Sequence, residues 1–199
     1  MNAQQKSLPQ AVALAIVDMQ NDFVLPGAPA CVAGAEATVP TLVRLLALAR
    51  ARAWPVVHVH RLHRPDGSDA EIPRRHLFSQ GTGICVTGSK GAEIIPALAP
   101  LPGEYLLPKT RYSAFLDTPL DALLRRLNVR TLLVGGTQYP NCIRATATDA
   151  MARDYHTIVV TDACSAQAPD VAQANVRDML AMGIDCIPLD DLERLAEAE

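Results

Sequence analysis

Short apolar runs recur along this chain, and the segments between them carry apolar residues at helical spacing. The clearest run extends from Ala11 to Val17 and contains no charged or polar residue. An unbroken apolar run is typical of a central strand in a parallel sheet, because both faces of such a strand are buried. Short, largely apolar stretches predict strands at Val12–Val17, Pro55–His60, Glu104–Leu107, Thr131–Gly135, Thr157–Thr161 and Ile184–Ile187.

Helices are predicted between these strands. Thr118 is a suitable N-cap and Pro119 a suitable first helical residue for a helix whose apolar face comprises Leu120, Leu123, Leu124 and Leu127. An earlier helix is predicted to present Val39, Leu42, Val43 and Leu46 to the core. A later helix is predicted to open at Pro169 and to end at Gly183, where a left-handed backbone is tolerated.

This alternation predicts an α/β fold in which helices cover both faces of a mostly parallel sheet, a three-layer α/β/α arrangement. The chain of 199 residues fits one domain, residues 1–199, with residues 1–10 as a flexible N-terminal segment. That segment is polar and lacks the features of a signal peptide, and no apolar stretch is long enough for a membrane helix.

Cys142 is the most informative residue for chemistry. An apolar run ends at Gly135 and Gly136, and a helical pattern begins near Pro140, so the thiol is predicted to lie in the first turn of a helix after a strand. The N–H groups and the dipole at a helix start favour a thiolate, the reactive form of cysteine. A small core residue is the alternative interpretation of any mid-chain cysteine.

Asp18 and Lys109 also follow predicted strands. In open α/β sheets the carboxyl ends of the strands border the ligand crevice, so we expect both side chains at the same edge as Cys142. A carboxylate there could move protons, and a lysine could hold it in place. The alternatives are that Asp18 caps a turn and that Lys109 is a solvated loop residue.

Four segments together resemble the isochorismatase-like cysteine hydrolase family, which includes nicotinamidases, N-carbamoylsarcosine amidases and ureidoacrylate and biuret hydrolases. They read IVDMQNDF from Ile16, KTRYSAF from Lys109, GGTQYPNC from Gly135 and TDA from Thr161. The resemblance covers Ala13 to about Leu189. It implies a six-stranded sheet of order 3-2-1-4-5-6 and a catalytic triad of Asp18, Lys109 and Cys142.

The resemblance also implies further site residues. The N–H groups of Gln138 and Cys142 would form the oxyanion hole, a non-proline cis peptide would join Thr137 to Gln138, and Phe23 would form an apolar wall of the pocket. Relatives often carry Thr-Asp just before the cysteine, whereas this chain has Tyr139-Pro140. Tyr139 is bulky, so we expect the pocket near the nucleophile to differ in shape.

Three histidines, His58, His60 and His63, suggest a metal site at first sight. Nicotinamidases bind a metal through an Asp-x-His motif in this segment, but Arg61 stands where the aspartate would be. We therefore expect no metal and no cofactor, with His63 lining the substrate pocket. Without the metal motif, nicotinamide becomes a less favoured substrate.

Composition excludes several function classes. The net charge of −3 and the absence of a basic run argue against nucleic-acid binding. The five cysteines are widely spaced, which fits a reducing compartment, so a cytoplasmic location without membrane association is expected. The Gly-rich stretch around Gly81 lacks the lysine and spacing of a phosphate-binding loop.

The segment from Arg61 to Lys90 is irregular and long, which is typical of a lid or rim that shapes a pocket. Its arginines and one beyond it could hold a substrate carboxylate: Arg61, Arg64, Arg74, Arg75 and Arg111. The expected partners are a small amide, carbamoyl or ureido substrate and other copies of the chain, as a homodimer or tetramer.

Three functions fit the sequence. The first is a cysteine hydrolase that cleaves a C–N bond through a thioester and releases ammonia. The second is a vinyl ether hydrolase of the isochorismatase type, which needs acid catalysis and no thiol. The third is a catalytically idle binding protein, which would be expected to have lost Asp18, Lys109 or Cys142.

Overall fold

A computed structural model describes residues 11–79 and 83–197 of the chain. The described strands are β1 Val12–Val17, β2 Val56–Arg61, β3 Tyr105–Lys109, β4 Thr131–Thr137, β5 His156–Ser165 and β6 Asp185–Ile187. The described helices are α1 Asn21–Val24, α2 Ala35–Ala51, α3 His76–Ser79, α4 Leu120–Arg126, α5 Arg144–Met151, α6 Pro169–Ala181 and α7 Leu189–Glu197. The expected flexible segment, residues 1–10, lies outside the described residues.

The six strands form one sheet in the order β3-β2-β1-β4-β5-β6, and each neighbouring pair is parallel. The order and the fold class implied by the resemblance are therefore confirmed. β1 and β4 lie at the centre, where β1 is buried throughout its length. Parallel strands bring their carboxyl ends to one edge, and that edge positions the residues described below.

Two apolar cores cover the two faces of the sheet. On one face Ala13, Ala15 and Val17 of β1 pack in a cluster with buried residues of α4, α5 and α6. On the other face Val12, Leu14 and Ile16 pack in a cluster with buried residues of α2 and α7. Successive side chains of β1 thus point into opposite apolar cores. For this reason the sequence of β1 contains no polar residue.

The predicted apolar face of α2 is partly wrong. Leu42 and Leu46 are buried as expected, but Val43 is 41% exposed. Leu45 and Ala49 are buried in its place. The buried face of α2 is therefore rotated about the helix axis, away from Val43. Because α2 is rich in leucine and alanine, more than one of its faces is apolar. The face that packs against the sheet is therefore decided by tertiary contacts.

Four strands, β2 to β5, extend further at their carboxyl ends than predicted, whereas β1 has the predicted bounds and β6 begins one residue later. β3 continues through Pro108, whose missing N–H is tolerated because β3 is an edge strand. β4 continues to Thr137, past a register shift between Val134 and Gly136. At Gly136 a Cβ atom would lie 2.1 Å from the carbonyl oxygen of Val17, and φ is +122°, so β1 and β4 can approach each other here only with glycine.

The helices predicted near Pro119 and at Pro169 are present, although the first begins one residue later than predicted, with Pro119 instead of Thr118 at the N-cap position. Leu120 and Leu124 of α4 are buried, and the Thr118 hydroxyl accepts a hydrogen bond from the N–H of Leu120 at 3.3 Å. α6 opens at Pro169, and Gly183 after it has φ +89°. No helix of the described ranges 11–79 and 83–197 is long and apolar enough to cross a membrane.

Candidate active site

The carboxyl edge of the sheet brings together residues from four segments of the chain. Val17 of β1 is paired with Gly136 of β4, and Arg61 of β2 is paired directly with Lys109 of β3. Asp18 follows β1 immediately, and its N–H donates to the carbonyl of Val59 at 2.8 Å. The backbone register alone therefore places a carboxylate and two cations beside the turn that follows β4.

Asp18 and Lys109 form a buried ion pair. The Lys109 Nζ atom lies 2.7 Å from Asp18 Oδ2, and the two residues are 2% and 1% exposed. Lys109 Nζ also donates to the carbonyl of Arg111 at 3.0 Å and to Cys142 Sγ at 3.4 Å. A charged pair this deeply buried is stable only with such additional partners.

The second carboxylate oxygen of Asp18, Oδ1, is available to accept a proton. Asp18 has a left-handed backbone, with φ +55°, a conformation that aspartate tolerates better than most residues. Its Oδ1 atom is buried and has no hydrogen-bond partner within the described part of the chain. A buried oxygen of this kind can accept a proton from a neighbouring group.

Cys142 lies in a π-helical turn, Tyr139–Ile143, that continues directly into α5. The predicted transition from strand to helix is confirmed, although the thiol sits in a wide turn ahead of the α-helix. Burial raises the pKa of the Cys142 thiol and nearby Asp18 raises it further, against the opposing effect of Lys109 and Arg61. In the free site desolvation and Asp18 therefore outweigh the two cations, and the expected effect of the helix start on the thiol stays a prediction.

Arg61 is the unexpected member of the site. Its side chain is fully buried, and Nη2 lies 3.5 Å from Cys142 Sγ. Nη1 donates to Glu71 Oε1 at 2.7 Å, and the carbonyl oxygens of Thr110 and Arg111 accept from the same guanidinium. The sequence suggested Arg61 only as one of five arginines that could hold a substrate carboxylate.

Gln20 was missed as a site residue at the sequence level. Its side chain is fully buried and holds the backbone of Arg61 from both sides: Oε1 accepts from the Arg61 N–H at 2.6 Å, and Nε2 donates to the Arg61 carbonyl at 2.8 Å. A third bond joins Nε2 to the Ala92 carbonyl. The available signal was a glutamine two residues after Asp18, but its partners are 41 and 72 residues away in sequence.

The three histidines point to separate partners. His58 Nε2 lies 2.8 Å from Glu104 Oε2 at the far end of β3, whereas His63 contacts Asp69 and Arg61. His60 is half-buried and lines a different depression of the surface, with Leu62 and Leu106. Residues 11–79 and 83–197 contain no cluster of three potential metal ligands. A buried guanidinium beside His63 also repels a dication, so these residues do not fit a metal ion and no catalytic step is derived through one.

The other predicted pocket residues are distributed around this core. His63 is fully buried and packs edge-on against Phe78, with 5.5 Å between the ring centres. Phe23 is buried in a small cluster with Cys85 and Ala92. The predicted pocket roles of Phe23 and His63 stay predictions.

Tyr139 faces a different part of the molecule from Cys142. Its hydroxyl donates to the carbonyl of Thr161 at 2.8 Å, and its side chain borders a cavity of about 660 Å³ next to α6. Asp18, Lys109 and Cys142 are not among the residues that line this cavity. The side chain thus has a structural partner, and its predicted contribution to the substrate pocket stays a prediction.

The expected cis peptide between Thr137 and Gln138 is present. It lies directly before the π-helical turn, so the backbone of Gln138 and that of Cys142 belong to the same tight connection after β4. Their predicted role as the two donors of an oxyanion hole stays a prediction.

The long segment after β2 contributes to the site from one side. Glu71 and Asp69 contact Arg61 and His63, and the guanidinium groups of Arg61 and Arg74 lie 5.5 and 5.1 Å from the ring centre of Tyr112. Arg64 and Arg75 are exposed, and Arg111 donates to the carbonyls of Asp69 and Thr110. Gly81, within the predicted lid, lies outside the described residues.

Comparison with known proteins finds similarity over most of this chain. Residues 12–191 match the family model described as the isochorismatase domain. A protein of Arabidopsis thaliana named as a probable inactive nicotinamidase is 41% identical over 175 residues, which cover 86% of this chain and 89% of that protein. The ureidoacrylate amidohydrolase RutB of Methylorubrum extorquens strain DM4 is 33% identical over 183 residues, covering 82% of this chain and 73% of the relative.

A solved structure extends the comparison to three dimensions. The crystal structure of an isochorismatase family protein from Desulfovibrio vulgaris superimposes with a TM-score of 0.91 at 63% sequence identity. The match covers 93% of this chain and 97% of that one.

Proposed function

Because this chain belongs to the isochorismatase family, whose amidohydrolase members cleave C–N bonds, we propose that it is a cysteine hydrolase of a small amide, carbamoyl or ureido compound. The observation that carries the proposal is the contact of Lys109 Nζ with both Asp18 Oδ2, at 2.7 Å, and Cys142 Sγ, at 3.4 Å. A lysine in contact with both a carboxylate and a thiol brings together a nucleophile, a candidate base and an orienting group.

The first half of the reaction forms a thioester. In the free site the thiol is protonated at neutral pH, since burial and Asp18 raise the pKa of Cys142. Asp18 accepts the thiol proton while Sγ attacks the substrate carbonyl carbon, and a tetrahedral oxyanion forms. When the C–N bond breaks, Asp18 returns the proton to the leaving nitrogen, ammonia departs and the acyl group remains on Sγ.

The second half restores the enzyme. Asp18 takes a proton from water as the water oxygen attacks the thioester carbonyl, and the C–S bond then breaks. The acid product leaves and the proton returns to the Cys142 sulfur. The N–H groups of Gln138 and Cys142 are the proposed donors to the oxyanion in both halves, and a strong donor of this kind contributes about 3 to 4 kcal/mol.

Lys109 has a positional and an electrostatic role in this scheme. Its bonds to Asp18 and to the carbonyl of Arg111 keep the carboxylate within reach of the sulfur. Once Asp18 is protonated, the ammonium faces a thiolate instead of a carboxylate, so one cation serves both steps.

The two alternatives have less support. Vinyl ether hydrolysis needs no thiol, so it does not explain why Lys109 contacts the sulfur of Cys142. An idle binding protein would not need Asp18, Lys109 and Cys142 in contact, and all three are present. The Arabidopsis relative is named as probably inactive, so turnover by the present chain is the property to measure first.

The test is ammonia release by purified protein from nicotinamide, biuret, N-carbamoyl amino acids, ureidoacrylate-like acids and maleamate. Cys142→Ala is expected to abolish turnover of any active substrate, because no nucleophile remains. Cys164→Ala is the matched control, since Cys164 is also buried but borders the cavity next to α6. Full ammonia release by Cys142→Ala would contradict the proposed thiol mechanism. No ammonia from any of these compounds, with Cys142 shown to be reduced, would favour the vinyl ether reaction or the idle protein.

A further inference from the structure

Two cations from neighbouring strands converge on one sulfur atom. Lys109 Nζ lies 3.4 Å and Arg61 Nη2 lies 3.5 Å from Cys142 Sγ. The two residues are direct partners in the register of β2 and β3, so the fold itself places both positive charges at this distance. Lys109 is paired with Asp18, and Arg61 is paired with Glu71, which makes two cation–carboxylate pairs around the thiol.

Arg61 is held rigidly in this position. Its side chain is fully buried, and Gln20 bonds both the N–H and the carbonyl of its backbone. The guanidinium donates to Glu71 and to the carbonyls of Thr110 and Arg111. A buried cation with this many partners is preorganised, so no reorganisation is needed when charge develops beside it.

The charges of the site balance in both proton states. With the proton on sulfur, the carboxylates of Asp18 and Glu71 balance the cations of Lys109 and Arg61. After the proton moves to Asp18, the thiolate replaces the Asp18 charge and the sum is unchanged. Without Arg61, the site would carry an excess of one negative charge in either proton state, and in the thiolate state the sulfur would lose one of its two neighbouring cations.

We propose that Arg61 is a fourth catalytic residue, a second cation that stabilises the Cys142 thiolate together with Lys109, and that Glu71 is the carboxylate partner of this buried cation. The proposal rests on the proposed function in one respect, namely that Cys142 is the nucleophile. The groups that face the sulfur are Asp18 after β1, Arg61 on β2 and Lys109 on β3. Both cations lower the pKa of the thiol, against burial and Asp18, which raise it.

Arg61 remains charged throughout. Burial alone would lower the pKa of Arg61, but Cys142, Asp18 and Glu71 raise it well above the ordinary value. Its use as a clamp for a substrate carboxylate, which the sequence suggested, conflicts with these contacts. Both of its terminal nitrogens already donate within the protein, and among its N–H groups only Nε has no partner within the described residues. A two-pronged bond to a substrate carboxylate would require it to leave Glu71.

The test is the pH dependence of Cys142 alkylation by iodoacetamide, followed by mass spectrometry of the peptide that contains Cys142. Only the thiolate reacts, so the rate profile reports the pKa of the thiol without any substrate. The key variant is R61M/E71Q, which removes the cation and its carboxylate together and strands neither charge. E71Q removes the carboxylate but keeps the Arg61 cation, and R61K replaces arginine with another cation. R74M is the control: the Arg74 guanidinium lies over the same ring, that of Tyr112, but does not contact Cys142 Sγ.

We expect R61M/E71Q to raise the apparent pKa by about one unit, which slows alkylation about tenfold at neutral pH. E71Q should leave the apparent pKa unchanged or lower it, R61K should fall between the wild type and the double variant, and R74M should match the wild type. A merely structural role for Arg61 would lower the melting temperature and leave the alkylation profile in place. A folded double variant with the wild-type profile would overturn the proposal. R61K with the profile of the double variant would also count against it, because a restored positive charge should lower the pKa.

The result is independent of the turnover assay. Alkylation measures the thiol in the absence of substrate, so a shifted profile without ammonia release would support the role of Arg61 and count against the proposed reaction. Ammonia release that depends on Cys142, together with an unshifted profile, would leave the hydrolase standing and remove Arg61 from its mechanism.

Discussion

At the scale of single residues, the site depends on side chains whose partners are distant in sequence. Gln20 makes three buried hydrogen bonds, two to the backbone of Arg61 and one to Ala92. Asp18, two residues earlier, was identified from the sequence because a carboxylate after an apolar strand has an evident chemical use. Gln20 has no chemistry of its own, and its importance comes only from what it holds.

We predict that Gln20→Ala lowers the free energy of unfolding by about 3 kcal/mol, because two backbone groups of Arg61 and one of Ala92 lose their buried partner. Urea denaturation measures the change. The matched control is Gln167→Ala, since Gln167 also bonds two backbone groups but is exposed, and its loss is expected to cost less than about 1 kcal/mol. Equal effects of the two substitutions would contradict the importance of the Arg61 clamp.

At the scale of elements, Glu104 joins three segments at the amino end of the sheet. Its carboxylate accepts from Arg50 of α2, from His58 of β2 and from the N–H of Leu101. Burial acts to raise the pKa of Glu104, but these hydrogen bonds outweigh burial and lower the pKa to about 2. Because burial lowers the pKa of His58, its ring is neutral at pH 7 and donates through Nε2.

The low pKa of Glu104 predicts a loss of stability in acid. A carboxylate whose pKa falls from 4.5 to about 2 on folding stabilises the folded state above pH 4.5, and this contribution, up to about 3 kcal/mol, disappears as the pH falls to about 2. Glu104→Gln should therefore flatten the dependence of the unfolding free energy on pH between 4.5 and 2, as measured by urea denaturation.

The control for this prediction is Glu193→Gln. Glu193 accepts from Arg44, whose side chain is 53% exposed, so the pair is screened by solvent. This variant is expected to follow the wild-type pH profile. If Glu104→Gln followed the wild-type profile as well, the carboxylate would not link α2, β2 and β3 as described.

At the scale of the whole molecule, the site is assembled from segments that meet only in the folded sheet. Asp18 and Lys109 are 91 residues apart, and Cys142 lies 33 residues beyond Lys109. Their contact depends on the order β3-β2-β1-β4 and on the parallel register of these strands. Removal of one partner of this buried ion pair is therefore expected to destabilise the fold as well as the site.

A double-mutant cycle should reveal this coupling. Lys109→Met leaves the Asp18 carboxylate buried and unpaired, and Asp18→Asn does the same to the ammonium, so each is expected to cost about 3 kcal/mol or more. The double variant strands neither charge, and its cost should fall below the sum of the two by at least about 1 kcal/mol in urea denaturation.

The comparison cycle uses Arg144→Met and Asp178→Asn. This pair also joins two elements, α5 and α6, at 3.0 Å, but its side chains are 40% and 56% exposed. Its coupling energy should stay below about 1 kcal/mol. Additive effects at Asp18 and Lys109 would mean that solvent reaches the pair and that its burial does not govern its energy.

The sequence by itself determined the elements and the principal chemistry of this protein. Largely apolar stretches located all six strands because most positions of a buried parallel strand face an apolar core, and the motifs around Asp18, Lys109 and Cys142 indicated the edge where they meet. Tertiary structure decided what depends on contacts across the chain: the inward stripe of α2, the extended ends of β3 and β4, and the separate partners of the three histidines. It also placed Arg61 beside the sulfur and Gln20 behind Arg61, because a residue's pattern shows whether it is apolar but not which distant group will lie next to it.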